Sequence, residues 1–298
     1  MLSTHRLFSS SCAWLFALTL LGAAPGYAQM RYSAGQQVFP VFEGWLANPD
    51  GTFDLLFGYV NRNYEEILDI PVGPNNSVEP GGPDQGQPAH FLPRRSMFTF
   101  RVRVPKDFGK KEVVWTLTIR GKTERAYATL KPEYILDSLM MMKNDGGFGE
   151  RPEEVANKAP VVRLEGGLTR TVKAGQPMPL TAFVLDDGIP AARQSIRSGG
   201  DGGAVIATGG LRAGWFVYRG AGPVRFDPAH GHPAPKPYGN SVGAVKSRLP
   251  ALSPLRPAAD GSVTASAIFS EPGNYTLQFM AHDGGLSGSA NIAVTVVP

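Results

Sequence analysis

The stretch SMFTFRVRVP, residues 96–105, decides the fold class of this chain of 298 residues. Its apolar residues Phe100, Val102 and Val104 alternate with the arginines between them. A two-residue period places successive side chains on opposite faces of an extended chain, so it predicts a strand with one buried face.

The segments on either side of this strand have the same character. VFPVFEGWLA (38–47) and TFDLLFGYV (52–60) flank the turn sequence Asn48-Pro49-Asp50-Gly51, which predicts a β-hairpin. EVVWTLTIRG (112–121) and KTERAYATL (122–130) predict a second one, with its turn at the glycine. The only predicted helix covers residues 133–143.

Short strand-like segments bounded by Gly, Pro and Asp resume after Ala159 and continue to the end of the chain. Their number, six or seven, and their spacing are typical of a β-sandwich. Two segments interrupt the pattern, a Gly/Ser-rich one at residues 191–210 and a Pro- and Ala-rich one at residues 228–260. We expect both to be long surface loops.

The sequence therefore predicts an all-β protein: two β-sandwich domains (Ig-like) joined by a flexible linker, after a signal peptide. The predicted boundaries are 1–28 for the signal peptide, 29–143 for the N-terminal β-sandwich module, 144–159 for the linker and 160–298 for the C-terminal sandwich. The linker is assigned from its polar, Gly/Pro-rich sequence.

The first 28 residues have the composition of a secretory signal peptide. Arg6 precedes the apolar run at residues 12–24, and Gly26-Tyr27-Ala28 supplies small residues for cleavage after Ala28. This predicts a periplasmic or secreted protein, with an uncleaved N-terminal anchor as the alternative. No later segment approaches the ~20 apolar residues of a membrane span.

Cysteine content and charge exclude several classes of function. The only cysteine, Cys12, lies in the predicted signal peptide, so a mature chain would contain no disulfide, thiol nucleophile or thiolate metal site. The net charge is +4, and removing Arg6 leaves +3. That charge is too small to predict nucleic-acid binding.

The C-terminal half resembles the Ig-like/PKD-like β-sandwich repeats of bacterial surface and secreted proteins. It lacks the WDFGDG-type motif of PKD domains, so we use the broader name, Ig-like. The resemblance is carried by Ala159-Pro160-Val161, Val172 to Pro177, Leu180 to Ala182, Asp186 to Gly188, Trp215, Gly220 to Phe226, Phe269, Pro272 to Leu277, His282 to Gly284 and Val294 to Val296.

The N-terminal half resembles an uncharacterised extracellular module with the motifs FGYxN, IPxGxNN and GQPxxF, followed by a WTL strand. Here these are residues 57–61, 70–76, 86–91 and 115–117. The resemblance implies an all-β exported domain and brings no activity with it.

The stretch FGYVNRNYEEILDIPVGPNN, residues 57–76, is the most polar candidate for a site. Its asparagines suit turns and backbone groups that lack a partner, which favours the corner of a β-sheet. The alternative is a ligand site, and its contact residues would be Tyr59, Asn61, Arg62, Asn63 and Tyr64.

Metal binding has two weak candidates. Asp186, Asp187 and Asp283 follow predicted strands and could supply oxygen ligands to Ca²⁺, but we favour a pair of Asp-Gly turns. His230 and His232 could hold a transition metal, but we favour solvated loop histidines. No other cofactor is expected.

No nucleophile elbow, phosphate-binding loop, zinc motif or dinucleotide turn occurs in the sequence. We therefore predict an exported, non-catalytic binding or interaction protein of the bacterial cell envelope or extracellular space. Its expected partner is an envelope protein or a glycan. This prediction rests on analogy with modular sandwiches.

Two alternatives remain open. In a carbohydrate-binding module, Trp45, Tyr59 and Tyr64 would stack on sugar rings. In a glycoside hydrolase, Glu65 or Glu66 would act with Asp54 or Asp69 across a cleft. Other features are the basic residues between Arg94 and Lys111, read as a solvated sheet face, and Met140-Met141-Met142, read as helix packing onto the first sandwich.

Overall fold

The strands of this chain form two β-sandwiches, one after the other, which confirms the predicted all-β, Ig-like fold class. The predicted signal peptide and most of the Pro-rich segment 228–260 lie outside the residues that are described. The computed structural model describes residues 32–145, 151–196, 205–208, 210–220, 222–230, 232 and 254–298.

The first sandwich contains strands β1 to β8. A sheet in the order β1-β2-β6 faces a sheet in the order β4-β7-β8, and the short strands β3 and β5 pair with each other. The strands are β1 (Val38–Ala47), β2 (Phe53–Asn61), β3 (Leu68–Asp69), β4 (Asn76–Glu79), β5 (His90–Phe91), β6 (Arg94–Val104), β7 (Val113–Ile119) and β8 (Lys122–Ala128).

The core of the first sandwich follows from the alternation in the sequence. Phe100, Val102 and Val104 on β6 are buried, whereas the two arginines between them are exposed. Trp115 on β7 is fully buried and meets the Phe100 ring edge-on, with ring centres 4.9 Å apart. Both predicted hairpins are confirmed, since β1 pairs with β2 and β7 with β8.

The second sandwich contains strands β9 to β18. Two four-stranded sheets, in the orders β15-β16-β11-β9 and β10-β18-β17-β14, enclose one apolar core. The strands are β9 (Val161–Leu164), β10 (Thr169–Lys173), β11 (Pro177–Leu185), β12 (Arg193–Ile196), β13 (Val205–Thr208), β14 (Arg212–Arg219), β15 (Val224–Asp227), β16 (Ser262–Phe269), β17 (Gly273–His282) and β18 (Ser287–Val297).

Two details of the second sandwich are features of Ig-like domains. Trp215 on β14 is buried between the sheets, as the sequence predicts, and packs on Phe279. The hydroxyl of Tyr275, at the start of β17, donates a hydrogen bond of 2.8 Å to the carbonyl oxygen of Glu271. This back-bond has the geometry of a tyrosine corner, which fixes the entry of the chain into the strand.

Tyr275→Phe is expected to lower the free energy of unfolding by about 1 kcal/mol, because it removes this one hydrogen bond and keeps the ring in place. The ring itself is buried against Phe269. Urea unfolding measures the loss, and Tyr127→Phe serves as a control because Tyr127 is 54% exposed. Equal stability of Tyr275→Phe and wild type would contradict the role of the hydroxyl.

The helix prediction is wrong in position. A short 3₁₀ helix covers Pro132–Tyr134, and helix α1 covers Ser138–Asp145. Leu136 instead donates its backbone N–H to the Trp45 carbonyl, which holds the chain extended beside β1. The side chain of Asp137 then accepts the backbone N–H of Met140 and starts the helix.

Met141 and Met142 of α1 pack in a cluster with Leu286 of the second sandwich, whereas the sequence predicts packing on the first. Met140 is 47% exposed. Met142 is fully buried and contacts Leu286, in the loop between β17 and β18. Gly285 makes this contact possible, since a Cβ there would lie only 3.0 Å from the Met142 side chain. The buried face of the helix therefore packs against the second sandwich.

The predicted linker at residues 144–159 is described only in part, because residues 146–150 lie outside the described ranges. Its later part forms a 3₁₀ helix, Pro152–Glu154, and the side chains of Glu154 and Asn157 are buried. This part of the segment is therefore packed against neighbouring residues. The domain boundaries themselves stay a prediction.

One predicted surface loop contains regular structure. Within residues 191–210, strands β12 and β13 pair antiparallel, with Arg193 opposite Thr208 and Ile196 opposite Val205. The Gly/Ser-rich composition that predicted a loop is concentrated between the two strands. The prediction of one continuous loop is wrong at these strands.

Hydrogen bonds join the first sandwich to strand β14 of the second. Arg219 forms a bidentate ion pair with Asp84, in which its two terminal nitrogens lie 2.9 and 2.8 Å from the carboxylate oxygens. It also donates a hydrogen bond to the Gln87 carbonyl. Tyr218 donates its hydroxyl to the Gly86 carbonyl at 2.7 Å, and its own carbonyl accepts the N–H of Ala89. The Gly86-Gln87-Pro88 motif therefore supplies backbone groups for the contact with the second sandwich.

Candidate functional site

Three asparagines of the stretch 57–76, Asn61, Asn63 and Asn76, bond to backbone groups inside the first sandwich. Asn61 is fully buried, and its amide donates to the carbonyls of Glu66 and Phe91. Asn63 is also fully buried, and it accepts the N–H of Gln36 at 2.7 Å and donates to the Gln36 carbonyl. The expected sheet corner is present, with amides replacing strand partners.

Burial corrects part of the predicted ligand contact. Tyr59, Asn61 and Asn63 are 3%, 0% and 0% exposed and present no surface to a ligand. The Tyr59 hydroxyl accepts the N–H of Leu92, and burial raises its pKa to about 12. Only Arg62, which is exposed, and Tyr64, which is half-buried, reach the surface.

The three aromatic residues proposed to stack on sugars do not form an exposed platform. Trp45 is half-buried, meets Phe53 edge-on and donates its indole N–H to the Lys131 carbonyl. Tyr59 is buried, and the Arg94 guanidinium covers the face of Tyr64 at 4.0 Å. A sugar-binding surface requires free ring faces, so this set of residues does not supply one.

The carboxylates nominated for a hydrolase are engaged in structural contacts. Asp54 is paired with two arginines of β6. Glu66 accepts from Arg120 at 2.6 Å and from the backbone N–H of Gly35. Asp69 lies 2.7 Å from the His90 ring. These side chains stabilise different parts of the sandwich, so the predicted facing pair is not supported.

Asp54 is the buried acid of this group, and its side chain is 1% exposed. Burial alone would raise its pKa, but hydrogen bonds from Arg103, Asn48 and Arg101 outweigh burial and hold the pKa below its ordinary value. Because the folded pKa is the lower one, the stabilisation is complete above the ordinary pKa of about 3.9. It is lost as the pH falls through the lower value of the folded protein.

We therefore expect the free energy of unfolding to fall less steeply in acid for Asp54→Asn than for the wild type. The variant is less stable near neutral pH, and the difference narrows below about pH 4 as Asp54 protonates in the wild type. Urea unfolding at a series of pH values measures this. Parallel curves for the two proteins would show that Asp54 does not titrate in this way.

A groove of about 420 Å³ lies at one end of the first sandwich. Its walls are the segment 68–75, which contains the IPxGxNN motif, and the end of β7 at residues 118–120. Leu68, Ile70 and Val72 supply apolar surface. This volume lies in the range of ordinary ligand-binding clefts, roughly 300–1,000 Å³.

The rim of the groove carries one charged side chain of each sign. Asp69 is exposed on one wall, and the Arg120 side chain is 39% exposed on the other. The lining therefore mixes apolar side chains with one carboxylate and one guanidinium, and these two groups contact His90 and Glu66 respectively.

The three aspartates predicted for Ca²⁺ differ in their surroundings. Asp187 is exposed, and its two carboxylate oxygens accept the backbone N–H groups of Ile189 and Lys158. Asp186 is half-buried and accepts the N–H of Gly188 with one oxygen. Asp283 is fully buried, and its Oδ1 accepts the N–H groups of Gly285 and Leu286.

The pKa values of two of these acids are raised. Burial is the main cause for Asp283. Burial is also the main cause of the raised pKa of Asp186, and the negative charges of Asp283 and Asp187 raise it further. Asp186 and Asp283 are therefore close enough to interact, although they lie in different loops.

The two loop histidines are in structural contacts. His230 lies against β14, where its Nε2 is 2.8 Å from the N–H of Trp215 and its Nδ1 is 2.7 Å from the Pro228 carbonyl. The His232 ring packs on Phe216. Within the described ranges, no three His, Cys, Asp or Glu side chains are grouped closely enough to hold a metal ion.

Sequence reasoning missed two features of these sites. Asn157 is 5% exposed and lies beside the Asp283 loop. The sequence places it in the predicted linker because the residues around it are polar. The ion pair of Arg219 with Asp84 joins residues 135 positions apart. Only the spacing of the GQPxxF motif hinted at a special role for this region.

Comparison with known proteins gives fold-level likeness only. No family model matches the chain, and no curated protein matches it. The D00-D0 domain of intimin is 12% identical with a TM-score of 0.24, and the match covers 88% of this chain and 100% of that one.

Two further solved structures show similar values. For the Yersinia pseudotuberculosis adhesin InvE, identity is 10% and the TM-score 0.24, and the match covers 86% of this chain and 58% of that one. For a chimeric titin Z1Z2, identity is 11% and the TM-score 0.21, with 89% and 100% covered. We draw nothing about function from likenesses with TM-scores this low.

In the part of the chain that is described, no helix combines the length and the apolar character that crossing a membrane requires.

Proposed function

We propose that this chain is an exported, non-catalytic binding protein of the bacterial cell envelope or extracellular space. In this proposal, the groove between residues 68–75 and 118–120 is the surface that holds its partner. The predicted signal peptide supports export, to the periplasm or beyond the cell. The partner we favour is an envelope protein.

The groove is the observation that carries this proposal. It has the volume of a binding cleft, apolar side chains in its lining and one charged side chain of each sign, each in contact with a neighbour of its own sandwich. Its wall contributes a single carboxylate, that of Asp69, which lies against His90. A groove of this composition suits binding better than hydrolysis, which needs two facing carboxylates.

Co-purification tests the proposal. The chain is tagged at its C-terminus in its native host, intact cells are crosslinked, and recovered proteins are identified. Val72→Glu places a charge among the side chains that line the groove, and Leu168→Glu places one at a residue that is 62% exposed on the second sandwich.

We expect one stoichiometric envelope protein with the wild type and with Leu168→Glu, and its loss with Val72→Glu. Recovery of the protein alone would contradict the proposal, and so would equal recovery with both variants. Recovery with wall polysaccharide would replace the protein partner by a glycan.

A further inference from the structure

Three segments meet at one end of the second sandwich. They are the segment 151–159, the loop 186–190 after β11, and the loop 283–286 between β17 and β18. Lys158 donates its backbone N–H to Asp187 Oδ2 at 3.0 Å, which joins the first segment to the second. The amide of Asn157 contacts Met142, which packs on Leu286 and so joins the first segment to the third.

Each segment brings a buried oxygen atom that has no hydrogen-bond partner among the described residues. These atoms are Oδ1 of Asn157, Oδ1 of Asp186 and Oδ2 of Asp283. Asp283 is 0% exposed and Asn157 is 5% exposed, so bulk water does not reach their side chains. Buried polar atoms are almost always satisfied, and three together indicate a missing partner.

The three side chains are neighbours at this end of the sandwich. The charge of Asp283 raises the pKa of Asp186, and the amide N–H of Asn157 lies close enough to Asp283 to lower the pKa of that carboxyl. A Cβ at Gly285, in the same loop as Asp283, would lie 3.2 Å from the Asn157 side chain. None of the described ion pairs involves Asp186 or Asp283. Among the described residues, the ring of the neighbouring His282 acts on Asp283 and lowers the pKa of its carboxyl.

We propose that Asp186, Asp283 and Asn157 bind a calcium ion that ties the segment before β9 to the two loops. All three donors are oxygens, two from carboxylates and one from an amide, and this is the ligand set that Ca²⁺ prefers. Ca²⁺ takes six to eight ligands in flexible geometry, so backbone carbonyls and water complete the shell. The donors include no nitrogen or sulfur, which disfavours zinc and copper.

The proposal differs from the sequence prediction in its ligands. Asp187 is left out, because backbone N–H groups already occupy both of its oxygens. Asn157 enters in its place. Only two of the three ligands are carboxylates, which agrees with the absence of a group of three acidic or imidazole side chains among the described residues. The site does not depend on the proposed partner groove.

Calorimetry and thermal unfolding of the chelator-treated full chain test the site. We expect saturable binding of one Ca²⁺, with a dissociation constant no weaker than about 10⁻³ M. We also expect a rise of roughly 5 °C in Tm at saturating Ca²⁺, because the ion binds only the folded state.

Variants then locate the ion. Asp283→Asn and Asp186→Asn are each expected to weaken Ca²⁺ binding at least about tenfold, because each removes a ligand charge. Asp50→Asn is the matched control, since Asp50 makes a similar turn bond to Thr52 but lies in the first sandwich. Asp187→Asn should weaken binding less than either ligand variant.

Three results would overturn the proposal. One is the absence of both heat and a change in Tm at about 5 mM Ca²⁺, well above the weakest expected dissociation constant. Another is unchanged affinity in both ligand variants, which would place the ion elsewhere. The third is a loss of affinity with Asp50→Asn as large as with the ligand variants. If Asp283→Asn does not fold, the half-exposed Asp186 still provides the decisive variant.

Discussion

Asn76→Ala is expected to destabilise the first sandwich by about 4 kcal/mol, because it leaves three buried polar groups without a hydrogen-bond partner. The Asn76 side chain is 0% exposed. Its amide donates to the carbonyls of Ile70 and Pro88 at 2.9 and 2.8 Å, and its Oδ1 accepts the indole N–H of Trp115 at 3.0 Å. Alanine can replace none of these bonds.

The neighbouring residue provides the control. Asn75 is exposed, so Asn75→Ala makes the same chemical change with an expected effect within about 0.5 kcal/mol. Chemical denaturation measures both, and tryptophan fluorescence adds a local signal because Trp115 loses its partner. Similar stability of the two variants would contradict the role of Asn76 as an internal support.

Gly58→Ala has the second large expected effect, a loss of about 3 kcal/mol in the free energy of unfolding. A Cβ at this position would lie 2.5 Å from the backbone carbonyl of Ser96 and closer still to the Glu43 carboxylate. Glu43 is part of a buried ion pair with Arg95, so neither neighbour moves away without further cost. The pairing of β2 with β6 also shifts register here.

Gly167→Ala is the control for Gly58→Ala. A Cβ at Gly167 would meet its nearest neighbour at 3.5 Å, an ordinary contact, and its backbone does not require a positive φ. We therefore expect little change in the urea midpoint for this variant. If Gly58→Ala were equally well tolerated, the close approach of β2 to Glu43 and Ser96 would not exist in solution.

Period-two alternation and turn chemistry were sufficient to predict most of the fold. The residues Phe100, Val102 and Val104 face the core as their spacing requires, and the turn at residues 48–51 joins β1 to β2. Trp215 occupies the centre of the second sandwich. These features depend on local rules, because side-chain period and turn residues act over a few positions.

Features that depend on distant contacts were not predictable in this way. The extended chain before α1 is held by the contact of Leu136 with Trp45, across a separation of 91 residues in the sequence. Met142 packs closely on Gly285, in a loop 143 residues further along the chain. Neither partner can be identified from local propensity, since tertiary contacts override it.

The candidate sites show the same difference between local features, which the sequence predicts, and distant contacts, which it does not. The asparagine-rich stretch was correctly interpreted as a sheet corner, because short amides bond to backbone in any such corner. The ligand contacts assigned to Tyr59, Asn61 and Asn63 are overturned by burial, which depends on strands far away in the sequence. Asp186 and Asp283 were identified from the sequence, but Asn157 was not, because only the fold brings it to them.

The two proposed sites lie on different sandwiches. The groove is built from residues of the first sandwich, whereas the proposed Ca²⁺ ligands belong to the second sandwich and the segment before it. The contacts of Arg219 with Asp84 and Gln87 join the two sandwiches. The two proposals are therefore independent, and an experiment that contradicts one does not contradict the other.

The most direct test of the central claim, that the groove holds a protein partner, is site-specific photocrosslinking in living cells. A photoreactive amino acid replaces Val72 in the groove or, as a control, Leu168 on the second sandwich. We predict one discrete adduct with an envelope protein from position 72 and none from position 168. The same adducts from both positions, or none from position 72, would contradict the claim.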